Sequence, residues 1–458
     1  MTEVSSRSVA LDCLMLTAEE RRFSHTVLND AREKYAWMSE EDRAFFGRLF
    51  HGTLEYLCQA DRILDRRSSV RTGKMKPVIR NILRMGVYQI LYMDRVPDRA
   101  AISEAVKLTE KRGLRGLKGF VNAVLRRVSA EREEILLELS RTEDLSYKYS
   151  VPAWMAELFV SAMGKETACE AMRSFLVPGF SWLRISGGGL PPQETAGELT
   201  EKGYVRSELC PDVWHAASGG GLPLDLLEQG AVYVQDLSSA LAVRAAAPSA
   251  GETVVDLCAA PGGKSIAAAG LMEGKGRVLS FDLTDRKTEQ IRQNAERCGF
   301  GNMIRAEAAD ALVLKEDLRE TADLVIADLP CSGLGVLGQK PDIKLNADPE
   351  SLKTLASLQR DILKNAAQYV KPGGRLLFST CTLNPGENEE NRAWFLREHP
   401  EFSPADLREC LPELAAAEKA AVSGGKIREE SLSEGYITLI PGVYPCDGFF
   451  FSLFMKRT

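Results

Sequence analysis

One stretch of the sequence, Thr253-Val-Val-Asp-Leu-Cys-Ala-Ala-Pro-Gly-Gly-Lys-Ser265, constrains the fold more than any other. Its first half is an apolar run that ends at Asp256, which is typical of a buried parallel strand. Its second half contains Gly262 and Gly263, which lack a Cβ and allow a tight turn that a ligand can approach closely. Residues 265–271 are then predicted to be helical. A strand, a glycine turn and a helix N-terminus in this order are typical of a site for a nucleotide-like ligand.

The spacing of these glycines excludes two common nucleotide-binding motifs. A dinucleotide fingerprint reads G-x-G-x-x-G and a phosphate-binding P-loop reads G-x-x-x-x-G-K, and the turn matches neither pattern. A glycine turn after a strand can also be purely structural. The carboxylates and thiols further along the chain favour a ligand site instead.

Length and composition narrow the class of protein. A chain of 458 residues is long enough for two or three domains with substantial cores. No apolar run reaches the roughly 18 residues of a membrane span, and the N-terminal Met-Thr-Glu-Val-Ser-Ser-Arg lacks the apolar part of a signal peptide. The ten cysteines form no Cys-x-x-Cys pair and there are only four histidines, which argues against a disulfide framework and a zinc site. We therefore expect a cytoplasmic protein without membrane association or a metal.

The formal net charge of −6 is unevenly distributed along the chain. Residues 1–130 contain 24 Lys and Arg against 16 Asp and Glu, a net of +8, whereas the remainder sums to −14. Between Arg62 and Arg127 there are 17 basic and 5 acidic residues. A basic segment on an otherwise acidic chain predicts a polyanionic partner. An ordinary solvated helical surface accounts for the charge equally well.

The periodicity of apolar residues changes twice and predicts three domains. Residues 1–140 have the apolar spacing of an all-α domain. Residues 141–230 mix short helices with the strand-like stretch Ser181-Trp-Leu-Arg-Ile-Ser186, which indicates a small α+β cap or linker domain. Residues 231–458 repeat strand-then-helix units, which is the pattern of a Rossmann-like, doubly wound sheet.

Two segments of the first domain carry a family resemblance. Ala100-Ala-Ile-Ser-Glu-Ala-Val-Lys-Leu108 and Lys118-Gly-Phe-Val-Asn-Ala-Val-Leu-Arg-Arg127 resemble the RNA-binding fold of the transcription-antitermination factor NusB. The resemblance covers most of the first 130 residues and implies an RNA-binding domain.

Carboxylates end the predicted strands of the third domain. The predicted strands are residues 253–256, 277–282, 302–310, 322–330 and 374–380, with a late antiparallel strand at 449–454. The first four end at or near Asp256, Asp282, Asp310 and Asp328, and ligands of such sheets bind beyond the carboxyl ends of the strands. Asp282 is placed to accept hydrogen bonds from ribose hydroxyls, and Asp310 to hold an adenine amino group. Because no pyrophosphate fingerprint is present, S-adenosylmethionine is favoured over NAD.

Two cysteines follow central strands of the same sheet. Cys331 lies in Asp328-Leu-Pro-Cys-Ser-Gly-Leu-Gly335, and Cys381 lies in Ser379-Thr-Cys-Thr-Leu-Asn-Pro-Gly-Glu-Asn-Glu-Glu-Asn391. Cys258, at the glycine turn, is expected to serve close packing, and most other cysteines are expected to be inert. Two thiols and a carboxylate near a methyl donor suit methylation of pyrimidine C5. A thiolate that adds to C6 turns the base into an enamine nucleophile, and the second thiol assists product release.

The motifs Cys258-Ala-Ala-Pro-Gly-Gly-Lys264, Asp328-Leu-Pro-Cys-Ser-Gly333 and Ser379-Thr-Cys381 resemble those of RNA (cytosine-C5)-methyltransferases, and Asp447-Gly-Phe-Phe450 extends the likeness. With the NusB-like N-terminus, the chain resembles the RsmB/Sun type, which methylates 16S ribosomal RNA. The resemblance implies Cys381 as the nucleophile, Cys331 as the thiol that releases product, and Asp328 as a third catalytic residue. The residues that it implies for S-adenosylmethionine are Cys258, Ala259, Ala260, Pro261, Gly262, Gly263, Lys264, Asp282, Asp310 and Asp328.

The chain departs from the family pattern at two places. Arg184-Ile-Ser186 replaces a common Arg-Val-Asn, and Lys340-Pro-Asp-Ile-Lys-Leu345 begins with Lys where His is frequent and ends with Leu where Trp is frequent.

We expect a monomer that acts on 16S ribosomal RNA and not on DNA. Two alternatives stay open: a cytosine methyltransferase for transfer RNA, another RNA or DNA, and a non-catalytic RNA-binding or assembly factor.

Overall fold

The structure, a computed structural model, describes residues 5–216 and 221–458. The described chain forms two compact units. The first comprises the residues up to Ser161 together with Met172–Pro178 and Leu337–Ala347, and the second comprises Ala162–Ala171, Gly179–Val336 and Asp348–Thr458. The first four residues, which belong to the stretch considered for a signal peptide, lie outside the described residues. The predicted domain boundaries at residues 140 and 230 stay a prediction.

The first unit is helical, as its periodicity predicts. Pro77 occupies the first turn of α5, where its missing N–H is not needed, and Ile79, Ile82 and Leu83 of the same helix are buried in the core. The helices of the N-terminal part are α1 (Ser6–Leu14), α2 (Ser24–Lys34), α3 (Glu40–Glu55), α4 (Leu57–Arg67), α5 (Pro77–Tyr92), α6 (Asp98–Lys111), α7 (Lys118–Ala130), α8 (Arg132–Arg141), α9 (Leu145–Tyr149), α10 (Ala153–Met163) and α11 (Lys165–Ser174).

A small antiparallel sheet lies in the second unit, at the start of its segment Gly179–Val336. Its elements are β1 (Trp182–Ile185), α12 (Pro192–Glu201), β2 (Tyr204–Arg206), β3 (Val213–Ala216), α13 (Leu224–Glu228) and β4 (Val232–Val234). The four strands are ordered β2-β3-β1-β4. The predicted strand at residues 181–186 is therefore present, and all four residues of β1 are buried because both of its faces pack against apolar clusters.

The large sheet follows. Its elements are α14 (Leu237–Ala246), β5 (Thr253–Asp256), α15 (Gly263–Leu271), β6 (Arg277–Asp282), α16 (Asp285–Arg297), β7 (Ile304–Ala308), β8 (Ala322–Asp328), α17 (Ile343–Asn346), α18 (Pro349–Tyr369), β9 (Val370–Thr380), α19 (Glu389–Glu398), β10 (Phe402–Pro404), α20 (Pro412–Ser423), β11 (Tyr436–Leu439) and β12 (Phe449–Lys456). β7 ends two residues before Asp310, which lies in the following turn.

The strand order fixes where a ligand can bind. Neighbouring strands run β10-β12-β9-β8-β5-β6-β7, and β11 pairs with β12. The pairs from β9 through β7 are parallel, whereas β12 is antiparallel to β9, β10 and β11, as predicted for the late strand. The chain order reverses between β5 and β8. In a sheet of this kind the ligand crevice opens at that reversal, beyond the carboxyl ends of the strands.

The segment Leu337–Ala347 lies between two parts of the second unit in sequence but belongs to the first unit. Its Lys344 is 7% exposed, and the Lys344 Nζ atom donates to the carbonyl oxygens of Glu55 at 2.6 Å and Ser150 at 3.0 Å. Ser24 donates to Asp342 of the same segment, and the ring of His51 contacts the Gln339 carbonyl oxygen at 3.2 Å. The segment is thus bonded to the first unit at several positions.

Candidate active site

The glycine turn has the conformation that its sequence predicts. The Ala260–Pro261 peptide is cis, and Gly262 has a φ of 105°, which residues with a Cβ rarely adopt. A Cβ at Gly262 would lie 3.4 Å from Cγ2 of Ile291. The turn therefore leads from β5 into the N-terminus of α15 along a path that requires glycine.

Asp282 joins the tip of β6 to this turn. Its Oδ2 atom accepts a hydrogen bond from the Ala260 N–H at 3.0 Å, and Oδ1 accepts from the Leu283 N–H at 2.7 Å and Lys287 Nζ at 2.8 Å. A carboxylate oxygen can accept two hydrogen bonds, so Oδ2 keeps capacity for a ligand hydroxyl. This remaining acceptor capacity of Asp282 and the adjacent glycine turn fit an adenosine-containing cofactor.

Asp310 lies at the same edge of the sheet because β7 pairs in parallel with β6. It is exposed, and its Oδ1 atom accepts from the Leu312 N–H at 2.9 Å, so it also caps the turn after β7.

Cys258 is half-buried, and burial raises the pKa of its thiol far above the ordinary range. The packing role of Cys258 stays a prediction.

Asp328, at the end of β8, is bonded to the first turn of α15 and to the end of β9. Its Oδ2 atom accepts from Lys264 Nζ at 2.6 Å and its Oδ1 atom accepts from Ser379 Oγ at 2.8 Å. The Lys264 ammonium also lies 5.1 Å from the centre of the Phe449 ring. The glycine turn, the Asp328 motif and the end of β9, which Cys381 follows, therefore meet at one point, where a carboxylate is held in a fixed orientation.

Asp256, at the end of β5, is fully buried. Ser265 Oγ donates to its Oδ2 atom at 2.6 Å, while Oδ1 has no partner among the described residues. Burial raises the pKa of this carboxyl to about 7, against an ordinary value of 3.8, and Ser265 and Lys264 counteract the shift only in part. Asp256 is therefore a buried group that changes charge near neutral pH.

The two candidate thiols are in direct contact. Because β8 and β9 are parallel neighbours with Asp328 opposite Ser379, the loops after the two strands leave the sheet side by side. The Sγ atoms of Cys331 and Cys381 lie 3.2 Å apart. The hydrogen bond with Cys381, burial, and the charges of Cys381 and Glu387 raise the pKa of Cys331 well above its usual range. All ten cysteines fall within the described residues and are free thiols.

A buried polar cluster behind the thiols was not predicted. Glu387 is fully buried and accepts hydrogen bonds from the backbone and side chain of Ser332. Gln359 and Asn384 donate to the same carboxylate. The sequence signal was the polar run Asn384-Pro-Gly-Glu-Asn388, which begins four residues after the end of β9 at Thr380, but no pattern in the sequence indicates that Glu387 points inward.

The motif Asp447-Gly-Phe-Phe450 packs against the Cys331 loop. The Gly448 N–H donates to the Gly335 carbonyl oxygen at 2.9 Å, and the Gly335 N–H donates to the Cys381 carbonyl oxygen at 3.1 Å. A Cβ at Gly335 would lie only 1.9 Å from the Gly448 oxygen, so the approach requires glycine there. The C-terminal motif thus fixes the backbone of both thiol loops.

Many of the basic residues that suggested a polyanionic partner form ion pairs inside the first unit. The pairs are Arg62–Asp144, Arg66–Glu138, Arg67–Glu131, Arg80–Glu19, Arg84–Asp61, Arg112–Asp12, Lys118–Glu110 and Arg127–Glu131. The positive sum over this segment therefore overstates the charge that is available to a partner. The polyanion interaction stays a prediction.

Residues 5–216 and 221–458 contain neither a metal-binding cluster nor a membrane-spanning helix. No cluster of three or more His, Cys, Asp or Glu side chains there could hold a metal ion. Nor does any helix of these residues have the length and apolar composition needed to cross a membrane.

Comparisons with known proteins agree with this geometry. A family model described as 16S rRNA methyltransferase RsmB/F matches residues 243–455, and a NusB family model matches residues 4–130. The probable ribosomal RNA small subunit methyltransferase B of Bacillus subtilis (strain 168) is 34% identical to the chain, with 100% of each sequence covered. A protein of the same name from Synechocystis sp. is 30% identical over 99% of this chain and 100% of the relative.

Solved structures share the fold. The crystal structure of PH0851 superposes with a TM-score of 0.77 and 26% identity over 99% of both chains. NSun6 from Pyrococcus horikoshii with SFG covers 67% of this chain and 98% of its own, with a TM-score of 0.55 and 19% identity, which shows a shared fold alone. The chain therefore belongs to the family of small-subunit ribosomal RNA methyltransferases B, with S-adenosylmethionine as its cofactor.

Proposed function

We propose that the protein transfers a methyl group from S-adenosylmethionine to C5 of a cytosine in 16S ribosomal RNA through a covalent bond between Cys381 and C6. The observation that carries this proposal is the 3.2 Å contact between the Cys331 and Cys381 sulfurs at the sheet edge where Asp282 and Asp328 also lie. Two thiols in contact beside a cofactor crevice suit a reaction that needs one nucleophile and one proton-handling group.

The reaction divides into addition and elimination. The Cys381 thiolate forms the S–C6 bond, and the electrons of the C5–C6 double bond move to C5. Bound S-adenosylmethionine supplies an electrophilic methyl group to that carbon. Loss of the C5 proton then restores the double bond, and Cys381 leaves C6 as a thiolate. Cys331, in contact with Cys381, assists the release of the adduct by donating its S–H to the departing sulfur, and solvent takes up the C5 proton.

Asp328 orients the base. Lys264 and Ser379 hold its two oxygens by hydrogen bonds of 2.6 Å and 2.8 Å, so the carboxylate keeps one orientation. From there it accepts a hydrogen bond from a protonated N3, which favours addition of the thiolate at C6. Asp282 and the turn from Cys258 to Lys264 hold the cofactor in this proposal, and Asp310 holds its adenine.

The substrate base must leave its helix or lie in an unpaired region. C6 of a stacked cytosine is out of reach of a thiol, so the base has to be extruded or already single-stranded. We assign RNA binding to the NusB-like helices of residues 1–140 and to a cap at residues 141–230. The catalytic domain in this division spans residues 231–458, and a monomer suffices for the reaction.

The test uses S-adenosylmethionine with a labelled methyl group and total bacterial RNA, separated afterwards into ribosomal and transfer fractions. We expect label in small-subunit RNA as 5-methylcytosine and its loss in a Cys381→Ala variant that still binds the cofactor. Label in transfer RNA would overturn the substrate but keep the chemistry. Absence of label in both fractions and in isolated small ribosomal subunits, with cofactor binding intact, would overturn the catalytic proposal.

A further inference from the structure

Glu387 is a fully buried carboxylate directly behind the thiol pair. Its Oε2 atom accepts from the Ser332 N–H at 2.9 Å and from Gln359 Nε2 at 2.9 Å. Its Oε1 atom accepts from Ser332 Oγ at 2.5 Å and from Asn384 Nδ2 at 3.0 Å. All four donors are uncharged. Burial of a carboxylate is costly unless the group is extensively hydrogen-bonded. These four hydrogen bonds therefore compensate for the burial of its negative charge, whereas a neutral side chain would not need them.

The same hydrogen bonds connect the two loops that carry the thiols. Ser332 follows Cys331 directly, and its hydroxyl also contacts Thr382 Oγ1 at 2.7 Å. Thr382 follows Cys381 directly. Glu387 therefore fixes the residue after the first thiol, and through Ser332 it fixes the residue after the second.

Helix α18 completes the cluster from the other side. Gln359 donates both to Glu387 and to the Pro330 carbonyl oxygen, each at 2.9 Å. Pro330 directly precedes Cys331. The backbone is thus held on both sides of the Cys331 thiol, and each contact leads back to Glu387 or to its partner Gln359.

We propose that Glu387 is a positioning residue that holds the two thiol loops in contact and keeps Cys331 neutral, so that Cys381 acts as the nucleophile. This inference rests on the proposed function and adds the reason why the two thiols take different roles. A negative charge beside Cys331 disfavours its thiolate, and a neutral Cys331 donates its S–H to the sulfur of Cys381.

The groups around Cys331 agree with this division of roles. The Cys381 hydrogen bond and burial are the largest causes of its raised pKa, and the Glu387 charge acts in the same direction. The Gly333 backbone N–H acts against them. Helix α18 contributes only the neutral amide of Gln359 at this point.

The test measures alkylation of each thiol by iodoacetamide from pH 6 to 9 in the full-length protein, with the labelled peptides quantified by mass spectrometry. In the native protein we expect Cys381 to be alkylated at lower pH than Cys331. In Glu387→Gln we expect Cys331 to react about tenfold faster at pH 8, because loss of the neighbouring negative charge lowers the pKa of its thiol. The matched control is Glu390→Gln, whose side chain is exposed three residues further on, and it should behave as the native protein. An unchanged Cys331 profile in a folded Glu387→Gln variant would overturn the charge effect.

A second variant covers the case in which Glu387→Gln fails to fold. Ser332→Ala keeps the charge but removes the hydroxyl that joins Glu387 to Thr382. We expect its kcat for methylation to fall about tenfold with an unchanged Kd for S-adenosylmethionine and a native Cys331 alkylation profile. A native kcat would overturn the bridging role. Alkylation requires neither RNA nor cofactor, so a lack of 5-methylcytosine product would contradict the proposed function alone.

Discussion

The sulfur atoms of Cys331 and Cys381 lie 3.2 Å apart, although fifty residues separate them in the sequence. The contact arises because β8 and β9 are adjacent and parallel, so that each strand delivers a thiol-bearing loop to the same place. Because the two sulfurs have separate proposed roles, replacement of each cysteine should have a different effect on the reaction.

Replacement of Cys331 by serine should trap the reaction after methyl transfer. In Cys331→Ser the nucleophile Cys381 is present, but the group that assists elimination is lost, so a covalent RNA–protein adduct should accumulate. A retarded band on a denaturing gel measures it, and ribonuclease treatment should remove most of the retardation. Cys410→Ser is the control, and it should give no more adduct than the native protein. Equal amounts of adduct in both variants would remove the assigned role of Cys331.

Removal of the Asp282 carboxylate should weaken cofactor binding. Asp282→Ala loses the oxygen that bonds the glycine turn and is placed for a ribose hydroxyl. A hydrogen bond to a charged group contributes about 1.5–3 kcal/mol, so Kd for S-adenosylmethionine should rise roughly 10- to 100-fold in isothermal titration calorimetry. The exposed Asp285 lies three residues further on, and Asp285→Ala should bind normally. Equal affinities of the two variants would contradict the ribose contact.

Asp256 should make stability depend on pH. Its pKa is about 7 in the folded protein against an ordinary 3.8, so the folded state binds the proton more tightly than the unfolded state. The resulting stabilisation is fully present below about pH 4 and is lost as the pH rises through about 7. Relative to Asp256→Asn, the native protein should therefore lose up to about 4 kcal/mol of unfolding free energy between these limits. Urea unfolding at pH 4, 5.5, 7 and 8 measures the difference, and a difference that is constant with pH would refute the assignment.

Lys344 should stabilise the first unit. Lys344→Met leaves the carbonyl oxygens of Glu55 and Ser150 without their donor, and an unsatisfied buried acceptor costs about 1–3 kcal/mol. Removal of a buried ammonium offsets part of this cost, because burial also lowers the pKa of Lys344. We expect a net loss of about 2 kcal/mol in the unfolding transition of the first unit. Lys340→Met, at an exposed position of the same segment, should melt as the native protein does. Equal melting of the two variants would show that the buried contact contributes nothing.

Local patterns predicted the elements of the large sheet well. The apolar runs that end at Asp256 and Asp282 have the bounds of β5 and β6, because a run of mostly apolar residues is typical of a buried parallel strand. β7 is shorter than predicted, since Asp310 caps the turn instead of continuing the strand. The order of the strands is set by packing across the sheet, so no local pattern could predict the contact of the two thiols.

Sequence patterns also could not predict which charged residues point inward. Glu387 and Lys344 both lie in polar stretches that are typical of exposed loops, yet each is buried with hydrogen-bond partners from distant parts of the chain. The charge sum over the first helices likewise does not show which arginines are paired, since partners such as Glu138 and Asp61 form ion pairs with some of them. Burial of charge depends on tertiary partners, which only the structure supplies.

The position of Leu337–Ala347 bears on the synthesis of the chain. The first unit is completed by residues that follow its helices by more than 150 positions, since Glu55 and Ser150 receive their donor from Lys344. As the chain leaves the ribosome, the N-terminal helices can form early, but their last donor emerges only after the first strands of the large sheet. A single proteolytic cut after residue 161 would likewise break the covalent connection between these helices and Lys344. Maturation of the N-terminal unit is therefore coupled to translation of the thiol-bearing half of the chain.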